Sequence, residues 1–123
     1  MLFGQGEILF QEADRGNFMC FIAHGTLDVI KQPTAVDQEI VITTLRKGQS
    51  IGEMSVIENL PRSATIRARD NAKLFILSQA AFDLVLTRHA NIGIKLLKGI
   101  AILLSNNLRK TSSRLADYML PIS

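Results

Sequence analysis

A chain of 123 residues with 47% apolar residues is long enough to bury one sizeable core and too apolar to remain disordered. Its 14 basic and 11 acidic residues leave a net charge of +3 and are scattered without a Lys/Arg block, which argues against a nucleic-acid footprint built on clustered charge. The single cysteine, Cys20, has no partner for an internal disulfide and sits among apolar neighbours, pointing to a reducing compartment and a buried thiol.

In chain order, short β-compatible runs come first. Residues 7–12 and 18–23 are two of them, and the second stops at His24-Gly25. Residues 26–31 alternate, with Leu27 and Val29 on one face. Residues 38–45 are rich in β-branched side chains and end at Lys47-Gly48-Gln49. Residues 64–69 and 72–77 are split by the turn pair Asp70-Asn71. Many short strands at close spacing predict a small sandwich or barrel. At Ser78, a good N-cap, the period becomes helical through QAAFDLVLTR. A longer helix is expected from about Asn91 to about Tyr118, with Gly93 and Gly99 inside it and Pro121 beyond. No repeat or linker interrupts the chain, so 1–123 is expected to be a single domain: a β-barrel over about 1–78 with a helical turn near 53–58, then helices over about 79–118.

The long helix carries two apolar stripes. Ile94, Leu97, Ala101, Leu104, Leu108, Thr111 and Leu115 step by three and four like a coiled-coil seam. Leu96, Ile100 and Leu103 lie about 100° around the helix. One stripe suits packing on the chain's own barrel and the other a twin helix in a homodimer; a helix wedged inside one monomer is the competing arrangement. The most apolar stretch, 92–104, is too short to span a membrane and contains Lys95 and Lys98. With no basic segment opening the chain as a secretory signal would, the expected location is cytoplasmic, with no membrane association.

The segment GEMSVIENLPRSAT, from Gly52 to Thr65, carries the chemistry. Gly52 permits a backbone conformation closed to other residues and close approach by a ligand. The run from Glu53 to Glu58 is compatible with one helical turn, whose N-terminus presents N–H groups suited to phosphate. Arg62 adds a planar fork of donors for two phosphate oxygens, and Pro61 restricts the backbone leading into it. Glu53 would repel a phosphate, but as an acceptor it suits a sugar hydroxyl. The set fits a compact ribose phosphate.

This segment resembles the phosphate-binding cassette of cyclic nucleotide-binding domains, in which Gly-Glu-(Leu/Met)-(Ala/Ser), a short apolar helix and Pro-Arg-(Ala/Ser/Thr)-Ala-Thr follow one another. The spacing of ten residues from Gly52 to Arg62 matches. Upstream, GQGEILFQEAD and FMCFIAHGTLDV are similar to the family's opening strands, while Lys47-Gly48-Gln49-Ser50-Ile51 departs at Gln49 and Ile51 from Gly-Asp-x-Phe. Downstream, LFILSQAAFDLVL is similar to the last strands and following helix, so the resemblance spans about residues 4–117.

The resemblance implies a mainly β fold with α elements: a double-stranded β-helix or jelly-roll barrel, then a short helix and a long C-terminal helix. It implies a regulatory domain for a cyclic mononucleotide, cAMP or cGMP, coupled to the long helix and a dimer interface, with cAMP favoured. Glu53 would accept from the ribose 2′-hydroxyl and Arg62 would pair with the cyclic phosphate. N–H groups near Met54, Ser55 and Ala64 would complete the cradle beside Gly52, with Ser63 donating further. Val29 and Ile42 match the positions against which the base rests, and as residues they are equally suited to plain core. Members of the catabolite-activator type read the base from the long helix; Asn107 is the candidate, with Arg109 and Thr111 as alternatives and an exposed helix-end Asn as the simpler reading.

Other functions are less well supported. Metal-dependent barrels need clustered ligands, and His24 and His89 stand far apart with no H-x-H pair. Neither a Ser-His-Asp grouping nor Cys-x-x-Cys is present, so no catalytic residue, metal or cofactor is expected. A relative that senses haem or redox state, or that only dimerises, is the alternative, with His24 as the one candidate haem ligand. DNA-binding members carry a helix-turn-helix after the long helix, and about five residues follow Tyr118 here, so direct nucleic-acid binding is not expected.

Overall fold

The computed structural model describes residues 1–33 and 37–119, except the side chains of Thr111 and 114–119. The placements expected for the side chains of Thr111 and Leu115, and for Pro121, lie outside the described residues. The chain forms two compact units, Met1–Asp83 and Leu84–Ser123.

In the first unit eight strands form: β1 (Leu2–Phe3), β2 (Ile8–Phe10), β3 (Phe18–His24), β4 (Leu27–Lys31), β5 (Ile40–Leu45), β6 (Ser50–Ile51), β7 (Thr65–Ala68) and β8 (Ala72–Ser78). They build two four-stranded antiparallel sheets, ordered β1-β8-β3-β6 and β2-β7-β4-β5. One core fills the space between them: Cys20, Ile22, Ile51, Ala72 and Leu74 from the first sheet meet Leu27, Ile66 and Ala68 from the second. Strand alternation produces this. In β7, Ile66 and Ala68 are buried while Thr65 and Arg67 are less so. Two helices follow, α1 (Gln79–Arg88) and the long α2 (Ala90–Met119). The expected jelly-roll barrel with a short and a long helix is therefore the observed fold.

Turn chemistry sets the strand ends. Gly25 adopts φ +86, and a Cβ there would collide with the Asn71 carbonyl. Next to it, Asp70 accepts from the Thr26 N–H (2.8 Å) and hydroxyl (2.9 Å), bonds that hold its carboxyl below the usual range. Gly48, at φ +88, closes the turn after β5, where the Gln49 N–H reaches the Arg46 carbonyl at 3.0 Å. At the two departures from the family pattern, the Gln49 side-chain Oε1 accepts from the Arg46 N–H at 2.7 Å, and Ile51 joins the core.

Several elements differ from expectation. β1 and β6 are two residues long, too short to show a period. β2 ends at Phe10 because the next N–H groups turn to side chains, Gln11 to Asp14 and Glu12 to Thr65. The register slips between Val29 and Ile30: Val29 faces Thr43 while Ile30 faces Val41, leaving Ile42 between pairs. The alternation expected of β4 is also incomplete: Asp28, whose carboxylate accepts from the Thr44 hydroxyl at 2.9 Å, and Ile30 are buried as well as Leu27.

In the second unit, α2 passes close to the end of α1. A Cβ on Gly93 would lie 2.7 Å from Leu86 Cδ2, so glycine here permits the crossing, whereas Gly99 faces open space. The two stripes differ in exposure. Ile100 is 1% exposed with Leu96 and Leu103 intermediate, while Ile94, Leu97 and Leu108 are exposed.

The Ser78 hydroxyl accepts from the Ala81 N–H at 3.0 Å, capping α1 at its third residue. Ser78→Ala is expected to lower unfolding free energy by about 1 kcal/mol in urea titration, with an unchanged slope.

Candidate functional site

The segment after β6 begins at Gly52, which adopts a left-handed conformation (φ 74, ψ 29). A single 3-10 turn, Glu53–Val56, follows and packs against β3. It is shorter than the turn expected over 53–58, because the Ile57 and Glu58 N–H groups converge on the Met54 carbonyl (3.1 and 2.6 Å) and end the helix. Its first bond uses the Ser55 N–H, which donates to the Gly52 carbonyl at 2.9 Å.

The backbone of Arg62 is fixed by a strap of bonds from residues 13–16. The Arg62 N–H donates to the Asp14 carbonyl (2.6 Å), and Ala13 and Gly16 donate to the Arg62 and Leu60 carbonyls (2.8 and 3.2 Å). Ala13 takes φ 75, a conformation that non-glycine residues rarely adopt.

From this anchor the Arg62 side chain runs inward and is only 6% exposed. Nη1 donates to the Ser55 hydroxyl (2.8 Å) and Nη2 to the Phe18 carbonyl (2.7 Å). Its Cζ lies over the rings of Phe10 (4.0 Å) and Phe18 (4.6 Å). Two glycines make the room. A Cβ on Gly52 would collide with Nη1, and one on Gly16 would sit 2.6 Å from Nε and 2.5 Å from the Ser55 hydroxyl. Burial pulls the guanidinium below its usual pKa. Neither the Arg67–Glu39 nor the Arg69–Asp28 salt bridge involves Arg62. Its Nε is buried with no hydrogen-bond partner. A buried cation whose bonded acceptors are neutral, with a donor left over, suits an anion.

Glu53 is also buried, at 7% exposure, and accepts from the Ser50 hydroxyl. The cassette thus folds its carboxylate and its guanidinium onto different partners. Met54 and Ser63 are exposed and Ala64 is buried. Val29 is half-buried against the core, whereas Ile42, in the β5 bulge, is 55% exposed and so is not core. Asn107 is exposed on α2, in the second unit. Among the described residues no group of three His, Cys, Asp or Glu side chains could hold a metal ion, and no helix is long and apolar enough to cross a membrane.

Gly16, Phe10 and Phe18 were not singled out from the sequence as site residues. Gly16 lies in a short Arg-Gly-Asn connection between strand runs, and both phenylalanines belong to strand runs in which an aromatic is expected core. Only the ten-residue separation of Gly52 and Arg62 marked the place.

The family pattern of the cyclic nucleotide-binding domain matches residues 1–89. The cAMP-dependent protein kinase regulatory subunit of Debaryomyces hansenii is 31% identical over 85 residues, 69% of this chain and 18% of that one. A cGMP-dependent protein kinase of Plasmodium berghei is 31% identical over 90 residues, 73% of this chain and 10% of that one. The chain spans between 10% and 23% of the length of such curated relatives. Among solved structures, a cyclic nucleotide-binding domain from Methylobacillus flagellatus superposes with a TM-score of 0.84 at 29% identity, covering 99% of this chain and 66% of that one.

Two outcomes follow from the site's packing. Gly16 has no positive φ, so Gly16→Ala tests space alone; it is expected to cost about 1–3 kcal/mol in denaturant unfolding through overpacking against Arg62 and Ser55. Burial pushes the Cys20 thiol from its usual 9.0 up to about 12, so the fold favours the neutral form. Stability from this group is intact below pH 9.0 and is lost as pH rises toward about 12. A thiol reagent at about pH 8 should therefore leave native Cys20 unmodified and react once the chain is unfolded.

Proposed function

Because the chain belongs to the cyclic nucleotide-binding domain family, we propose that it is a regulatory module that binds a cyclic mononucleotide, cAMP in preference to cGMP, at residues 52–64. The observation that carries this reading is Arg62. It is a buried guanidinium with neutral hydrogen-bond acceptors and an unpaired Nε, in the arginine position of the cassette. The cyclic phosphate supplies the missing negative charge, joined by Gly52 and the backbone near Met54, Ser55 and Ala64, with Ser63 at the exposed rim. Glu53 accepts from the ribose 2′-hydroxyl, for which its neighbour Ser50 holds it oriented. Val29 and Ile42 offer apolar surface to the base.

Asn107 is the residue assigned to the base edge, since an amide both donates and accepts. A ligand engaging both the cassette and α2 favours one placement of the helix over another, which is a linkage between binding and conformation. The exposed seam of Ile94, Leu97 and Leu108 supports a homodimer through α2 as the element that receives the shift. The role is regulatory, with no reaction catalysed by this chain.

Calorimetric titration with cAMP and cGMP tests this directly. The unmodified chain is expected to bind, more tightly to cAMP, and Arg62→Ala to weaken binding by about thirtyfold or more. No binding to either nucleotide would sink the proposal, and equal binding by Arg62→Ala would remove Arg62 from it.

A further inference from the structure

We propose that Phe10 and Phe18 are positioning residues that act through Arg62, holding its guanidinium as an aromatic clamp and thereby setting affinity for the phosphate; this rests on the nucleotide-binding reading above. The two rings meet at 72° with centroids 6.1 Å apart, and the Arg62 Cζ lies over both. Phe10 comes from β2 and Phe18 from β3, so each sheet contributes one ring.

The physical case has three parts. First, a guanidinium out of water is attracted to the negative faces of aromatic rings, more strongly than it is at an exposed site. That matters here because its two hydrogen bonds, to the Ser55 hydroxyl and the Phe18 carbonyl, bring no negative charge. Second, rings near right angles restrict the cation along two directions, while Gly16 and Gly52 leave only enough volume for it. An arginine otherwise loses considerable rotamer freedom when it binds an anion, and a clamp removes that loss in advance. Third, the clamp is neutral. A carboxylate in place of either ring would hold Arg62 equally well and would compete with the phosphate for it. Aromatic faces orient the cation and leave its charge available.

The experiment is calorimetric titration with cAMP of five proteins: unmodified, Phe10→Leu, Phe10→Tyr, Arg62→Gln, and Phe10→Leu with Arg62→Gln. Phe10→Leu keeps the apolar volume and lacks the ring, so it is expected to weaken binding by about threefold to thirtyfold. Phe10→Tyr, which keeps the ring face, should stay within about twofold of the unmodified protein. If Phe10 works through Arg62, the double variant binds no more weakly than Arg62→Gln alone. Unchanged affinity in Phe10→Leu, or fully additive losses in the double variant, would overturn the proposal. Should Phe10→Leu fail to fold in a thermal melt, Phe18→Leu takes its place in the same set. Failure of the unmodified protein to bind either nucleotide overturns the function reading instead. The clamp is then judged on ligand-free protein by proton NMR. Ring currents are expected to shield the Arg62 Hε more strongly in the unmodified and Tyr proteins than in the Leu variant, which keeps one ring of the two, and an unmoved resonance would overturn it.

Discussion

Burying a guanidinium costs solvation that only well-placed partners return, and around Arg62 the bonded and stacked partners are neutral. Much of the first unit is arranged by that requirement. Gly16 and Gly52 lack side chains where any Cβ would strike Arg62. Residues 13–16 run beside residues 60–62 because backbone bonds between them anchor the arginine, even with Ala13 at positive φ. Phe18 serves twice, its carbonyl accepting from Nη2 and its ring lying against Cζ. The core between the sheets keeps these pieces in register, since β2 and β3 belong to different sheets.

The cassette separates charges of opposite sign over a short stretch of chain. Gly52 turns the backbone left-handed, and the 3-10 turn then places Glu53 beside Ser50 and Ser55 beside Arg62. A hydroxyl thus mediates for each charged group. A hydroxyl can donate to a carboxylate and accept from a guanidinium, so serine fits both places without a new charge. The arrangement gives the carboxylate and the guanidinium each a neutral hydroxyl neighbour within one short segment.

The second unit answers to a different constraint. A helix with two apolar stripes has more surface to cover than one contact supplies, and the stripes of α2 are unequal in exposure. Apolar residues stay accessible along one stripe at Ile94, Leu97 and Leu108, while Ile100 on the other is buried. Gly93 contributes by letting α2 cross Leu86 closely, a purely steric role that its place within an apolar run does not reveal.

Much of this was legible in the sequence alone. Strand runs of five to seven residues, the turns at Gly25 and Gly48, the Ser78 cap and the change to helical period all come from local preferences that survive packing. The Gly52–Arg62 spacing located the cassette because the backbone turn and the donor fork are tied to fixed residue types. Two-residue strands, the β4–β5 bulge and the early end of the 3-10 turn were not legible, since each depends on which distant N–H or carbonyl is within reach. The same reason hid the surroundings of Arg62. Its type and position predict what it pairs with, whereas Phe10, Gly16, Phe18 and Ser55 reach it only when β2, β3 and the cassette are brought together by the fold.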